Sequence, residues 1–234
     1  ERTRHGAEQN ILSIFEHPTV AGLAAHLDAL GTSGTSDTAG APDARPALRP
    51  AERPDPLPLS FAQRRLWFLH RLEGMSRAYN VPWTLRFSGD LDVPALRAAV
   101  ADLVARHESL RTVFPEHDGE PRQHILPPER ARPPLPVTRT TEAELQGALA
   151  TASGHHFDLA ADIPVRTHLF QVGAREHVLL LLVHHIACDG WSFAPLTEDL
   201  TAAYETRRVA SAEGHGHDSP ALAPAVQYAD YGLW

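Results

Sequence analysis

Val178-Leu179-Leu180-Leu181-Leu182-Val183 is the stretch that most restricts what this chain can become. Six apolar residues in succession leave no polar face, so a strand built from them must be covered on both sides. The run is far short of the ~20 residues that cross a bilayer. His184-His185-Ile186-Ala187-Cys188-Asp189-Gly190-Trp191-Ser192 follow directly, and Leu196, Leu200, Ala203 and Tyr204 then recur at helical spacing. A buried strand, a polar turn and a helix start thus form one continuous segment.

The flanking chain supplies the partners such a strand needs. Pro18 breaks an apolar patch at Ile11, Leu12, Ile14 and Phe15, and Thr19 can cap a helix carrying Val20, Leu23, Leu27 and Leu30 on one face. Thirty residues cannot bury a core of their own. Residues 31–56 change to Gly, Ser, Thr, Ala, Asp and Pro, with Pro42, Pro46, Pro50, Pro54 and Pro56 favouring an extended linker. From residue 57 the pattern is globular. Ser60 starts a helix bearing Phe61, Trp67, Phe68 and Leu69; residues 81–87 read as a strand; Leu96, Val100, Leu103 and Val104 mark a helix ending near His107. Residues 110–114 read as a strand, His117-Asp118-Gly119-Glu120 as a hairpin turn leading to 123–126, and residues 142–152 as a helix. Strands at 164–172 and 176–185 flank Gly173-Ala174-Arg175, a helix spans 193–208, and 211–220 form a polar loop. The irregular order of strands and helices predicts an α+β (mixed α/β) domain over 57–234.

Composition excludes several classes. Net charge is −8 with no basic run, which argues against a nucleic-acid footprint. No apolar segment reaches membrane-span length, and Glu1-Arg2-Thr3-Arg4 lacks the apolar core of a signal peptide behind it. Cys188 is the single cysteine, so no internal disulfide is possible and a reducing cytoplasm is expected. All 21 basic residues are arginine, which rules out a catalytic lysine.

The turn offers an imidazole and a helix start together. Neighbouring residues on a strand point to opposite faces, so at most one of His184 and His185 can reach a given cavity. An imidazole with an ordinary pKa of ~6.5 can take a proton near neutrality. Asp189 is close enough to fix local geometry, and Gly190 permits backbone conformations that a Cβ resists. Helix N–H groups from about Ser192 suit a developing oxyanion, so acyl transfer to an amine or alcohol is one reading. A purely structural histidine pair is the other, and Cys188 reads as a packing residue. No zinc-type spacing such as His-Glu-x-x-His occurs among the 15 histidines.

His184–Gly190 resembles the HHxxxDG signature of nonribosomal peptide synthetase condensation domains and related chloramphenicol-acetyltransferase-like acyltransferases. Three more segments occur in that family's order: Ser60-Phe61-Ala62-Gln63-Arg64-Arg65-Leu66-Trp67-Phe68-Leu69, Arg106-His107-Glu108-Ser109-Leu110-Arg111-Thr112-Val113-Phe114 and Tyr228-Ala229-Asp230-Tyr231-Gly232-Leu233-Trp234. Gly190-Trp191-Ser192, Arg106-His107-Glu108 and Ala78-Tyr79-Asn80-Val81-Pro82 resemble the class joining two L-configured residues. Ile14-Phe15-Glu16-His17-Pro18-Thr19-Val20 resembles the C-terminal end of a peptidyl-carrier domain, without the carrier's Gly-Gly-x-Ser.

The resemblance implies a carrier remnant over 1–30, a linker over 31–56, and over 57–234 the N-terminal lobe of a two-lobed V, with a mixed sheet flanked by helices. It implies amide formation between a donor acyl or peptidyl thioester and an acceptor aminoacyl thioester. Both would arrive on the phosphopantetheine of carrier domains, with no cofactor bound directly and with an adenylation domain and the second lobe as further partners. On this resemblance His185 acts on the acceptor amine as base or positioning group, and His184 and Gly190 shape the turn. Asp189 is structural, held by Arg111 or Arg106. With the active site between two lobes, this stretch alone is expected to be inactive. An acyl-coenzyme A-dependent acyltransferase and a non-catalytic carrier-docking domain are the alternatives.

Overall fold

The computed structural model describes residues 16–32, 47–74, 76–213 and 226–234, and the chain divides into two compact units, 1–47 and 48–234. In the first unit α1 (Val20–Thr32) begins where Thr19 caps it, the Gly22 N–H donating to Thr19 Oγ1 at 3.1 Å. The apolar patch at residues 11–15, most of the linker and the loop at 214–225 lie outside the described residues.

The second unit is built on a four-stranded sheet, in the order β1 (Asn80–Ser88), β8 (Glu176–His184), β7 (Val165–Gly173) and β6 (Val137–Arg139). β8 is antiparallel to both neighbours, while β6 runs parallel to β7, so the sheet is mixed. Placing the all-apolar strand second in the sheet pairs both of its edges. Its two faces are then covered by different elements. Leu179, Leu181 and Val183 pack with Leu96, Val100 and Leu103 of α3 (Val93–Arg106) and with Leu196 and Leu200 of α5 (Phe193–Glu213). Val178, Leu180 and Leu182 pack with Leu145 of α4 (Glu142–Ser153), Phe157, Leu159 and Phe114. Each such side chain stabilises the fold by roughly 1.5–3 kcal/mol, and β8 supplies three of them to each core.

Local chemistry fixes the remaining ends. α2 (Phe61–Glu73) opens with a capping box: the Gln63 N–H donates to Ser60 Oγ at 3.2 Å and the Ser60 N–H to Gln63 Oε1 at 3.0 Å. Asp92 caps α3 through the Ala95 N–H, with Pro94 in the first turn where no N–H is needed. Asp118 and Gly119 have φ of 54° and 81°, the paired left-handed conformation of a tight hairpin, between β3 (Glu116–His117) and β4 (Glu120–Pro121).

The structure departs from the sequence expectations at several places and adds elements they did not include. Residues 110–114 are not one strand: a 3₁₀ turn at Glu108–Arg111 precedes a two-residue β2 (Thr112–Val113), which pairs with β5 (His124–Ile125). β6 was not anticipated, because three exposed residues after a proline run carry no apolar alternation. α5 continues to Glu213 instead of ending at 208. Residues Tyr228–Leu233 form a short helix, α6, with the Gln227 N–H donating to the Asp230 carboxylate at 2.8 Å.

Candidate functional site

β8 ends at His184, one residue earlier than the alternation argument assumed, and a turn through His185, Ile186 and Ala187 follows. The two histidines are separated by depth as well as by face. His184 is 0% exposed; its N–H donates to Pro164 O at 2.9 Å, and its Nδ1 accepts from the Ile186 N–H at 3.1 Å. Burial, then the neighbouring His70 and His185, push its pKa down to about 4, so it is neutral at physiological pH. His185 is exposed, and its N–H donates to Tyr79 O at 2.8 Å, anchoring the turn to the residue before β1. Of the pair, only His185 presents its ring to the outside.

His185 borders a cavity of about 190 Å³ shared with Gln63 and Leu66 of α2, Cys188, Asp189 and Tyr228 of α6. Three of the four sequence motifs therefore converge here. Tyr228 and Ser60 hydroxyls are 3.0 Å apart, and Gln63 Nε2 donates to Gln123 Oε1 at 3.2 Å, so α2 and α6 meet as one wall. Gln63 and Tyr228 are site residues that the sequence did not single out. They lie inside the motif segments, but neither an amide nor a phenol carries the acid–base signature that drew attention to the histidines. Cys188 is buried, and burial followed by the nearby Asp189 charge pushes its thiol up to about 12, so it is no nucleophile here.

The expected arginine on Asp189 is a correction. Asp189 Oδ1 accepts from the Trp191 N–H at 3.1 Å, the Ser192 N–H at 3.1 Å and Ser192 Oγ at 2.8 Å. Ser192 Oγ in turn accepts from the Asp189 N–H at 3.0 Å. The carboxylate thereby uses backbone donors just ahead of α5 that were assigned to an oxyanion, and Pro195 supplies none. Arg111 turns to backbone carbonyls, of Ala105 at 3.2 Å and Leu126 at 2.6 Å, with Glu108 at 3.7 Å. Arg106 pairs with Asp199 of α5 at 2.8 Å, on an oxygen shared with His107 Nε2 at 2.7 Å. Both arginines brace the scaffold and neither reaches Asp189. Gly190 is a second correction. Its φ lies outside the left-handed region, and a Cβ built there would meet open space, so the turn's conformation does not require glycine.

Among the motif aspartates, the one that an arginine holds is Asp230. It is 2% exposed and receives Arg53 Nη2 at 3.3 Å, the Ala51 N–H at 3.3 Å and the Gln227 N–H at 2.8 Å. Burial opposes its charge, but those two N–H donors and the guanidinium outweigh it and hold the carboxyl below its usual range. Arg53 also binds Glu108 at 2.7 Å, and Gln227 bridges the Glu108 N–H and the Arg106 carbonyl. Outside the cavity, Trp191 stands 89% exposed beside the turn, and Phe61, Phe68 and Leu72 form an exposed apolar stripe along α2. Among the described residues no group of three or more His, Cys, Asp or Glu side chains is placed to hold a metal ion, and no helix is long and apolar enough to cross a membrane.

A mixed sheet flanked by helices, with an exposed histidine on the turn leaving its most buried strand, defines a lobe of the chloramphenicol-acetyltransferase-like class. The Condensation domain family model matches residues 54–234, and the chain belongs to that family. It is 56% identical over 230 residues to a dimodular nonribosomal peptide synthase of Bacillus subtilis, covering 98% of this chain and 9% of that one. A probable non-canonical nonribosomal peptide synthetase of Salinispora arenicola is 50% identical over 234 residues, of which the match covers 3%. The X-domain from teicoplanin biosynthesis aligns with a TM-score of 0.72 at 40% identity, over 81% of this chain and 40% of its own. The first condensation domain of the calcium-dependent antibiotic synthetase, solved with a substrate analogue, aligns at 0.60 with 26% identity, over 69% and 39%. The chain thus spans under a tenth of these curated relatives and about two-fifths of the solved domains.

Proposed function

We propose that this chain is the N-terminal, histidine-bearing lobe of a condensation domain that joins two L-configured residues within a nonribosomal peptide synthetase. The acceptor's amine nitrogen attacks the donor's thioester carbonyl; a C–N bond forms, the C–S bond breaks, and the thiolate leaves with the proton the amine gives up. Both substrates arrive on phosphopantetheine arms of carrier domains, and the chain's own residues bind no cofactor. Residues 1–30 fit the tail of the preceding carrier.

The observation that carries this reading is the placement of His185, exposed at a cavity while its backbone is pinned to Tyr79 and its neighbour His184 is buried. His185 orients the amine or takes its proton, a role of ~10²–10⁴ in rate where a side chain acts as general base. The test is made in the intact synthetase. His185→Ala should lower peptide formation at least a hundredfold while the melting temperature stays within a degree or two. An unchanged rate removes His185 from the mechanism. The chain by itself should form no dipeptide from loaded carriers.

A recruitment role is the second reading, favoured by the higher structural similarity to the X-domain, which is also solved in complex with OxyB. It predicts a synthetase whose product yield is indifferent to His185→Ala and which captures a separate protein instead.

A further inference from the structure

His184 is defined by more than its depth. Because Nδ1 accepts the Ile186 N–H, the neutral ring must carry its proton on Nε2. That Nε2 is buried and has no hydrogen-bond partner among the described residues. Nδ1 of His70 is in the same condition, and the two rings meet edge to face with centroids 5.9 Å apart. His184 is fully buried and His70 is 9% exposed, so water does not reach either nitrogen from the outer surface. Two such atoms left apart are each a destabilising buried polar group, and one shared interaction removes both penalties. His70 also borders a second cavity, of about 290 Å³, with Trp67, Arg71, Phe114, Glu116 and Asp158.

We propose that His70 is a positioning residue for the turn: one buried water accepts the proton of His184 Nε2–H and donates to His70 Nδ1. A directed chain results, running from His70 through the water and His184 to the Ile186 N–H. Its effect is to forbid the other tautomer of His184. With the proton on Nδ1, that nitrogen could no longer accept from Ile186, and the turn holding His185 would lose a backbone anchor. The inference adds a support to the site proposed above, but its test reads protonation and exchange and is independent of peptide formation.

Imidazole ¹⁵N spectra of the 234-residue chain at pH 7 should show Nε2–H and a bare Nδ1 for both His184 and His70. In His70→Phe, the Ile186 amide should exchange with solvent at least tenfold faster, and an Nδ1–H population of His184 should appear. His70→Asn places an acceptor oxygen near the lost Nδ1 and should return exchange to within twofold of the parent. A proton found on His70 Nδ1 in the parent overturns the proposal, as does Ile186 exchange that is the same in the Phe variant. If His70→Phe fails to fold, the parent's tautomers and the Asn variant's exchange still decide.

Discussion

Two motif aspartates, 41 residues apart in sequence, do opposite kinds of structural work. Asp189 is exposed and, among the described residues, bonds those within three positions of itself, closing the turn that leads into α5. Asp230 is buried and bonds Ala51 and Arg53, 179 and 177 positions away, fastening the start of the unit to its last helix. The first shapes a surface feature and the second closes the fold behind it. An aspartate in a site motif is thus no guide by itself to which of the two it does. The same division separates His185 from His184, one outward on the turn and one sealed into the floor.

The largest loss of stability is expected at Asp230. Asp230→Ala leaves Arg53 and the Ala51 and Gln227 N–H groups without their shared acceptor and should destabilise the unit by about 3–5 kcal/mol, read as a large fall in denaturation midpoint. A loss under about 1 kcal/mol would place Asp230 in the same class as Asp189.

Acid should expose the cost of the buried histidine. His184 titrates at about 4 when folded against ~6.5 unfolded, so between those values the unfolded chain binds the extra proton. Stability therefore declines as pH falls from ~6.5 to about 4, with roughly 3 kcal/mol attributable to this group, and none of its share is lost above that window. Burial lowers His70, His107, His155 and His168 as well, so all act with the same sign. The contribution of His184 is the difference between parent and His184→Gln urea series across that range. Identical slopes would mean that His184 is not held neutral.

A smaller effect is expected at Asp189. Asp189→Ala removes a cap-like acceptor of three donors and should cost about 1 kcal/mol, with Asp189→Asn nearer the parent because one oxygen remains. A fall as large as that of Asp230→Ala would show that the turn supports the whole unit. Smallest is Cys188, next to Asp189 but inside the floor. With its pKa near 12, the thiol should resist iodoacetamide at pH 8 for hours in the native chain and react fully in denaturant. Rapid native labelling would place the floor of the turn in solvent.

How much of this was legible follows from the range of each interaction. β8 announced itself because six apolar residues in a row have one economical placement, paired on both edges and covered on both faces. Ser60 as a cap was readable for a similar reason, since its partner Gln63 is only three residues on. The arginine partners were not. A guanidinium reaches far and spacing says nothing about its direction, so Arg106 and Arg111 were expected on Asp189 while Arg53, inside the supposed linker, holds Asp230. The histidine pair was half legible: period-two alternation separated the two rings, but the strand's end at His184 and the difference in burial follow from tertiary packing that spacing does not encode.

The alternation of β8 between two unlike cores has a consequence for how this lobe can change over time. Leu179, Leu181 and Val183 are matched to α3 and α5, whereas Val178, Leu180 and Leu182 are matched to α4 and the residues around Phe157. Exchanges of size within one set have to be balanced within that set and leave the other undisturbed. A single inserted or deleted residue would interchange the two sets and move His184 to the helix-pair side, scrambling floor and turn together. Variation in length is therefore channelled to the strand's far end, at the Gly173–Glu176 hairpin, while the end that carries the histidines is held in frame by eight residues of packing behind it.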